Sequence, residues 1–215
     1  MSLKINEIFY SIQGESSFSG FPCVFVRMAG CNLRCFYCDT RYAYTEGTEM
    51  ATSDIVKKVG AYRCALVEVT GGEPLIQEET PHLIRCLLDK GHQVLLETNG
   101  TQDVGTVDPR CIKIMDIKGP SSGEMEKNDL KNLERLTKKD EIKFVIGNRA
   151  DYRYAVGMLE QIGKTISTEI LIHFSPLFTK MPYWKLAGWI LEDRLRVRLN
   201  LQLHKIIWPK KIRGV

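Results

Sequence analysis

Three cysteines at spacings of four and three residues, in Cys31-Asn-Leu-Arg-Cys35-Phe-Tyr-Cys38, follow Gly30 and an apolar run that reads as a strand. Three thiolates held in a tight loop can converge on one metal centre. A structural zinc or a closed iron-sulfur cluster wants four protein ligands. No partner cysteine or histidine follows at a suitable near spacing, and the nearest histidine is His82. Three ligands with one position left open is the logic of a reactive metal, because a substrate can coordinate where the protein does not. In a 4Fe-4S cluster the unique iron is that position. A zinc knob whose fourth ligand is distant is the plainer alternative. The other four cysteines, Cys23, Cys64, Cys86 and Cys111, lie among apolar neighbours and read as small buried hydrophobes.

A second feature stands one strand and one helix further on. Gly71-Gly72-Glu73-Pro74 ends the run Ala65-Leu66-Val67-Glu68-Val69-Thr70. Two glycines let backbone approach a ligand closely, and the carboxylate accepts from a cation. Alone, such a turn is usually just a loop.

The elements that must position these residues alternate between β-rich and helix-like runs, with no internal repeat or low-complexity linker. Strands are expected at 22–29, 65–70, 92–98, 111–117, 141–146, 168–174 and 195–203, and helices at 52–62, 79–90, 126–136, 150–163 and 182–193. Thr52 or Ser53 can cap the first helix, and Thr80 followed by Pro81 fits the start of the second. Strands separated by helices run parallel, so their right-handed crossovers build a doubly wound sheet or a complete or partial barrel. In 195–203, Val197, Leu199, Leu201 and Leu203 share one face, while Arg198, Asn200, Gln202 and then His204 share the other. Similar polar faces occur in Glu68/Thr70, Gln93/Glu97/Asn99, Asp116/Lys118, Glu141/Lys143 and Glu169/His173. If those faces converge, the C-terminal ends of the strands line a polar cavity, as in α/β barrels; an edge strand with one wet face is the alternative for any single pair.

Length and charge narrow the classes. The 215 residues suffice for one sizeable core, and one domain spanning 1–215 is expected, with the cysteine loop at 30–40 and a covering segment at 204–215. The net charge of +4 is too diffuse to suggest nucleic acid. No run of about 18 apolar residues exists, and Met1 to Glu7 lack an apolar signal core. Neither membrane insertion nor secretion is indicated, and the cytoplasm is expected. Seven cysteines, three of them in one loop, suit a metal site in a reducing compartment better than a disulfide framework.

The cysteine spacing, with the aromatic Tyr37 just before the last cysteine, resembles the signature of the radical S-adenosylmethionine (SAM) superfamily. The resemblance implies an open parallel β/α barrel of the α/β class, a 4Fe-4S cluster on Cys31, Cys35 and Cys38, and SAM chelated by its amino and carboxylate groups to the unique iron. It places Tyr37 on the adenine and Gly71, Gly72 and Glu73 by the methionine amino group. By the same resemblance, Glu97 and Asn99, then Asp116, Lys118 and Ser121, would be the later SAM-contacting segments. Cleaving the sulfonium needs a low-potential electron, which cluster potentials reaching down to about −700 mV can supply. The deoxyadenosyl radical then takes hydrogen from a bound substrate.

The N-terminal stretch Ile8-Phe9-Tyr10-Ser11-Ile12-Gln13-Gly14-Glu15, then Gly20-Phe21-Pro22, Val24-Phe25-Val26-Arg27, Cys38-Asp39-Thr40 and Gln202-Leu203-His204-Lys205, resembles the 7-carboxy-7-deazaguanine synthase family along essentially the whole chain. That resemblance implies ring contraction of 6-carboxy-5,6,7,8-tetrahydropterin with release of ammonia, toward deazapurines such as queuosine. It implies that Ile12, Gln13, Gly14, Glu15, Arg27, Thr70 and His204 meet the substrate, with His204 reaching in from the last strand. It implies Mg²⁺ on the Thr40 hydroxyl, a flavodoxin or ferredoxin as reductant, and a homodimer. A pterin offers a donor and acceptor edge for Gln13 and Glu15, and a carboxylate for Arg27. Taken singly, Gln13 and Glu15 also fit a turn around Gly14, Arg27 an ion pair, and Thr40 a helix cap. A glycyl-radical-enzyme activase and a non-catalytic metal-binding module are the rival functions.

Overall fold

The computed structural model describes residues 1–166, 169–208 and 213–215. Among the described residues, nine strands form one open sheet: β1 (Ser2–Ile12), β2 (Pro22–Met28), β3 (Thr48–Ala51), β4 (Leu66–Gly71), β5 (Gln93–Thr98), β6 (Ile112–Asp116), β7 (Glu141–Ile146), β8 (Leu171–Pro176) and β9 (Arg198–Leu199), in the order β3-β1-β2-β4-β5-β6-β7-β8-β9. β1 pairs antiparallel with β2 and β3; from β2 to β9 every pair is parallel. The sheet does not close, so the expected partial β/α barrel is the fold. Helices α1 (Thr52–Ala61), α2 (Thr80–Asp89), α3 (Arg149–Thr165), α4 (Tyr183–Glu192) and the short α5 (Leu203–Ile207) connect and flank the strands.

Alternation along each strand decides what the two faces do. Outward residues Val24, Val26, Val67, Val69, Val94 and Leu96 pack against Ile55 and Val59 of α1 and Leu83, Ile84 and Leu87 of α2, which recur at helical spacing. A second cluster joins Ile142, Phe144, Ile146 and Phe174 to Tyr152, Ala155, Met158 and Ile162 of α3 and to Leu186 and Ile190 of α4. The inward face changes character along the strand. Its N-terminal end is sealed by Phe9, Phe25, Leu66, Leu95 and Ile114. Two residues further on, the same face of β2, β4, β5 and β6 carries Arg27, Glu68, Glu97 and Asp116. The C-terminal ends of the strands therefore line a polar interior.

Three local expectations are corrected, and two strands stand where none was assigned. The N-terminal segment is a long strand, β1, and β3 is a further strand at the sheet edge. The helix expected at 126–136 is instead a pair of 3-10 turns, Met125–Lys127 and Leu130–Arg135, separated by extended Asn128; the Asn132 side chain ties this stretch to the carbonyls of Gly100 and Gln102. The strand expected at 195–203 pairs only at Arg198 and Leu199, because the Asn200 side chain turns to Ser175 Oγ and the Leu203 N–H to the Gly14 carbonyl, starting α5. Finally, α1 is capped by extended Ala51 with no side-chain bond, since β3 runs straight into it and leaves Thr52 inside the helix. The expected 168–174 strand lies at Leu171–Pro176, and 167–168 and 209–212 of the expected elements and tail lie outside the described residues. Cys23 and Cys111 are buried as expected, whereas Cys64 and Cys86 are half-buried.

Candidate active site

The cysteine loop is built on close backbone approach. Gly30, at φ +92°, turns the chain out of β2. Its carbonyl accepts from Glu73 N–H at 2.8 Å, and the Met28 carbonyl accepts from Gly72 N–H at 3.3 Å. A Cβ on Gly72 would stand 1.9 Å from the Gly30 oxygen, and one on Gly71 (φ +151°) 2.5 Å from the Met28 oxygen. Only glycine lets these two turns touch. Gly72→Ala is expected to separate them and lower stability by more than the about 1 kcal/mol of an ordinary point change, as a drop in thermal midpoint with loss of iron binding.

Cys35 is buried and Cys31 and Cys38 are half-buried, all on the wall of a cavity of about 570 Å³. Burial pushes the Cys31 thiol up, against a Leu33 N–H bond to its sulfur and with the Glu73 carboxylate adding to the rise. Burial likewise raises Cys35, opposed by the Lys118 ammonium. Such thiols stay protonated until a metal takes the thiolate. Among the described residues, no three cysteine, histidine or carboxylate side chains stand close enough to hold a single ion. Thiolates on separate irons of one cluster need not meet at a point. Two buried polar atoms lining the cavity, the Tyr37 hydroxyl and Asp116 Oδ1, have no hydrogen-bond partner, as expected where a polar ligand completes the site. The donor set, the glycine turn and these orphaned atoms fit a cluster with SAM.

The cavity brings together almost every candidate residue: Ile12, Gln13, Gly14, Glu15, Arg27, the three cysteines, Tyr37, Thr40, Thr70, Gly71, Gly72, Glu97, Asn99, Asp116, Lys118 and His204. Glu73 and Ser121 are not on its wall. The Glu73 carboxylate is fully buried and accepts from Leu75 N–H (3.0 Å), the Thr98 hydroxyl (2.8 Å) and Asn99 N–H (2.6 Å), so it fastens the ends of β4 and β5 together. Ser121 lies beside α3, its N–H on Asp151 and its hydroxyl accepting from Asn148.

On the same wall, the loop after β1 doubles back on Gly20 N–H to Gln13 carbonyl and Gln13 N–H to Phe21 carbonyl bonds. It is pinned to the barrel by the Ser17 hydroxyl on Glu141, which His173 also holds at 2.7 Å. Glu15 accepts from Lys143 at 3.1 Å and from Gln202 at 2.9 Å; burial would raise its carboxyl, but Lys143 and then His204 hold it down. Arg27 gives its Nε to Glu7 at 2.8 Å and lies over the Phe9 ring, so the ion pair and the cavity position coexist. Thr40 does not cap the following turn; its hydroxyl donates to Asp39 Oδ1 at 3.0 Å. Burial would raise Asp39, yet Lys205 holds it at about 2.

His204 enters from α5, not from a strand. A Cβ on Gly14 would fall 2.0 Å from His204 Nδ1 and 3.0 Å from its backbone nitrogen. Burial pulls the imidazole down, against the raising field of Glu15. Gly14→Ala is expected to push His204 off its seat, raising the substrate KM by about 10-fold or more with a smaller change in kcat, measurable in steady-state assays.

Lys143, Glu68, Gln202, Asp39 and Lys205 belong to the same cavity; the first three lie on the polar strand faces expected to converge, but the sequence assigns none of the five a role. The signal was present for the first two: a lysine between Ile142 and Phe144, and a glutamate between Val67 and Val69, each interrupt an apolar strand.

An open β/α barrel with a three-cysteine loop after its first parallel strand and a glycine turn after the next defines a radical SAM enzyme, and residues 25–121 match the family model of the radical SAM superfamily. Its cofactors are a 4Fe-4S cluster and SAM. The chain is 49% identical over 216 residues to the 7-carboxy-7-deazaguanine synthase of Chlorobaculum tepidum, covering 99% of this chain and 97% of that one. It is 43% identical over 227 residues to the synthase of Koribacter versatilis, covering 99% and 100%. The chain belongs to the 7-carboxy-7-deazaguanine synthase family. Its fold is like that of QueE from Escherichia coli, with a TM-score of 0.78 at 24% identity over 95% of both chains.

Proposed function

We propose that this cavity performs the ring contraction of 6-carboxy-5,6,7,8-tetrahydropterin to 7-carboxy-7-deazaguanine with release of ammonia. The observation that carries the reading is that one cavity is lined both by the three cysteines and by Gln13, Glu15 and His204, with the Lys143 ion network on the same wall. When bound, the cluster and SAM would supply reversible hydrogen-atom abstraction from the substrate. Cys31, Cys35 and Cys38 would hold the cluster; Tyr37, Gly71, Gly72, Asn99, Asp116 and Lys118 would hold SAM. Glu73 and Ser121 act from behind the wall by fixing its backbone.

Gln13, Gly14 and Glu15 offer donors and acceptors to a pterin edge, with Ile12 packing beside them, and Thr70, Arg27 and His204 complete the contact. Thr40 and the ionised Asp39 present hydroxyl and carboxylate oxygens, the donor type for Mg²⁺ bound together with the substrate carboxylate. Residues 1–215 form one domain in this reading; of the covering segment, His204, Lys205 and Val215 line the cavity wall, and Arg213 pairs with Glu46 at 2.8 Å and lies over the Tyr42 ring.

A flavodoxin or ferredoxin donor fits the low-potential electron the cluster needs, and Phe36, 75% exposed at the tip of the cysteine loop, offers such a donor an apolar contact. The exposed Tyr183, Trp184 and Leu191 of α4 supply a face for a homodimer. No helix among the described residues is long and apolar enough to cross a membrane; a cytoplasmic setting rests in this reading on the free thiols of the cysteine loop, which suit a reducing compartment.

Anaerobically reconstituted protein with SAM, reductant, Mg²⁺ and the tetrahydropterin should yield the deazaguanine by mass. SAM cleavage without that product would overturn the substrate and point to a protein-activating radical enzyme.

A further inference from the structure

Three carboxyl groups, Glu15, Glu68 and Glu97, line the cavity around one buried ammonium, Lys143. Lys143 from β7 bonds Glu15 at 3.1 Å and bonds Glu97 of β5, and stands 3.9 Å from Asp116 of β6. Asp116 also has Lys118 at 2.8 Å. On β2, paired with β4, Arg27 gives its Nε to Glu7, and Cys23 is a thiol pushed up by burial and by Glu68. Glu68, on β4, is bonded by an amide, the Gln13 Nε2 group, where its neighbours have cations. It is 4% exposed and lies two residues before Thr70, so both point inward at the same wall.

Resting on the ring contraction proposed above, we infer that Glu68 is a catalytic acid of that reaction, the group that gives a proton to the nitrogen leaving as ammonia. Ring contraction ends with a C–N bond breaking and its electron pair departing on nitrogen. Glu68 protonates that nitrogen, which leaves as NH₃. The Glu68 carboxylate then takes the proton that the contracted ring sheds as it becomes aromatic. No proton is consumed and nothing is oxidised or reduced, so the cycle needs no further reactant.

The other candidates are unsuited to this role. Lys143 and then His204 lower the Glu15 carboxyl despite its burial, and Lys143 bonds Glu97. Asp39 is held at about 2. His204 is pulled down by burial, which leaves the imidazole neutral and better suited to accept. For Glu68, burial first and then the Glu97 and Glu15 carboxylates raise the carboxyl well above its ordinary range, against Gln13 and Lys143. With the strand ends closed below it by Leu66, Leu95 and Ile114, its proton is sheltered from bulk water.

The test uses the reconstituted enzyme with SAM, Mg²⁺, reductant and substrate deuterated at pterin C6. Wild type should pass deuterium to SAM and make the deazaguanine. Glu68→Gln keeps an oxygen to accept from Gln13 but has no acidic proton; it should still pass deuterium to SAM while product and ammonia fall by about 100-fold or more. Glu68→Asp, which keeps the acid on a shorter arm, should regain part of the loss. Product at the wild-type rate from Glu68→Gln would overturn the assignment. So would loss of deuterium transfer together with product in both variants, because that is the mark of a structural role. A wild-type enzyme that makes no deazaguanine would bring down the substrate reading itself, and this inference with it.

Discussion

Cys35→Ala protein, reconstituted beside wild type, is expected to form no measurable deazaguanine while remaining folded. Cys35 is one of three candidate ligands, and with it gone two thiolates remain for a cluster that already leaves one iron to SAM. Loss of an outer-shell partner to a metal ligand typically costs about 10–100-fold in affinity or activity. Removal of the ligand itself should exceed that, at about a thousand-fold or more. The fold should survive, because Cys35 belongs to none of the three apolar clusters, and the loop is held from outside by the Gly30 N–H to Ala43 carbonyl and Phe36 N–H to Ser122 carbonyl bonds. Iron content, product yield and thermal midpoint, measured together, check this; retained iron and product would show that the cysteine is packing.

The second large effect is on stability. Lys143→Met should cost about 3–5 kcal/mol near pH 8, the typical loss when one partner of a buried ionic group is removed, and should abolish product formation. Burial opposes the ammonium, yet Glu15, Glu97 and Asp116 raise its pKa well above the usual lysine value. Its stabilisation is therefore complete below about pH 10.5 and is lost only as pH climbs through the higher folded value. In the variant the sign reverses for the carboxylates. Without Lys143, burial is expected to prevail at Glu15 over His204 and Gln202 and to raise it, so that the folded state would bind protons more tightly than the unfolded chain. Stability of the variant should fall as pH rises from about 4.5, and its deficit against wild type should be smaller at pH 5 than at pH 8. Urea unfolding at the two values reads the difference; an equal deficit at both would mean that the carboxylates do not depend on Lys143.

Much of the barrel was legible because its central strands keep one phase. Val67 and Val69 face the helices while Glu68 and Thr70 face the cavity, and the same pattern repeats with Leu96 and Glu97 and with Met115 and Asp116. β1 resisted the same reading. Its register shifts between Ile5 and Glu7, so Leu3 and Ile5 pack outward with Ile8, whereas Phe9 turns inward. A strand whose phase flips at a bulge does not show a two-residue period. The tail misled for the opposite reason: residues 195–203 alternate well, but only Arg198 and Leu199 find ladder partners at the sheet edge, and beyond them the Asn200 side chain bonds Ser175 and the Leu203 N–H bonds the Gly14 carbonyl.

The site divides in the same way. Cys31, Cys35, Cys38, Gly71 and Gly72 are set by local spacing, which sequence displays. The grouping of Glu15, Glu68 and Glu97 on Lys143 joins residues up to 128 positions apart, and alternation alone cannot separate a wet strand face from a buried ionic hub. The resemblance places Glu73 by the SAM amino group; in the structure its carboxylate accepts from Thr98, Asn99 and Leu75, and the first two are long-range partners that no local motif displays.

The most direct measurement is the electron paramagnetic resonance spectrum of the reduced, reconstituted protein, recorded alone, with SAM, and with SAM plus the tetrahydropterin. A reduced 4Fe-4S signal that changes when SAM is added, and changes again with the pterin, is the predicted result, because one cavity would hold the open iron, SAM and substrate together. Stoichiometric zinc, or an iron-sulfur signal indifferent to SAM, would contradict it.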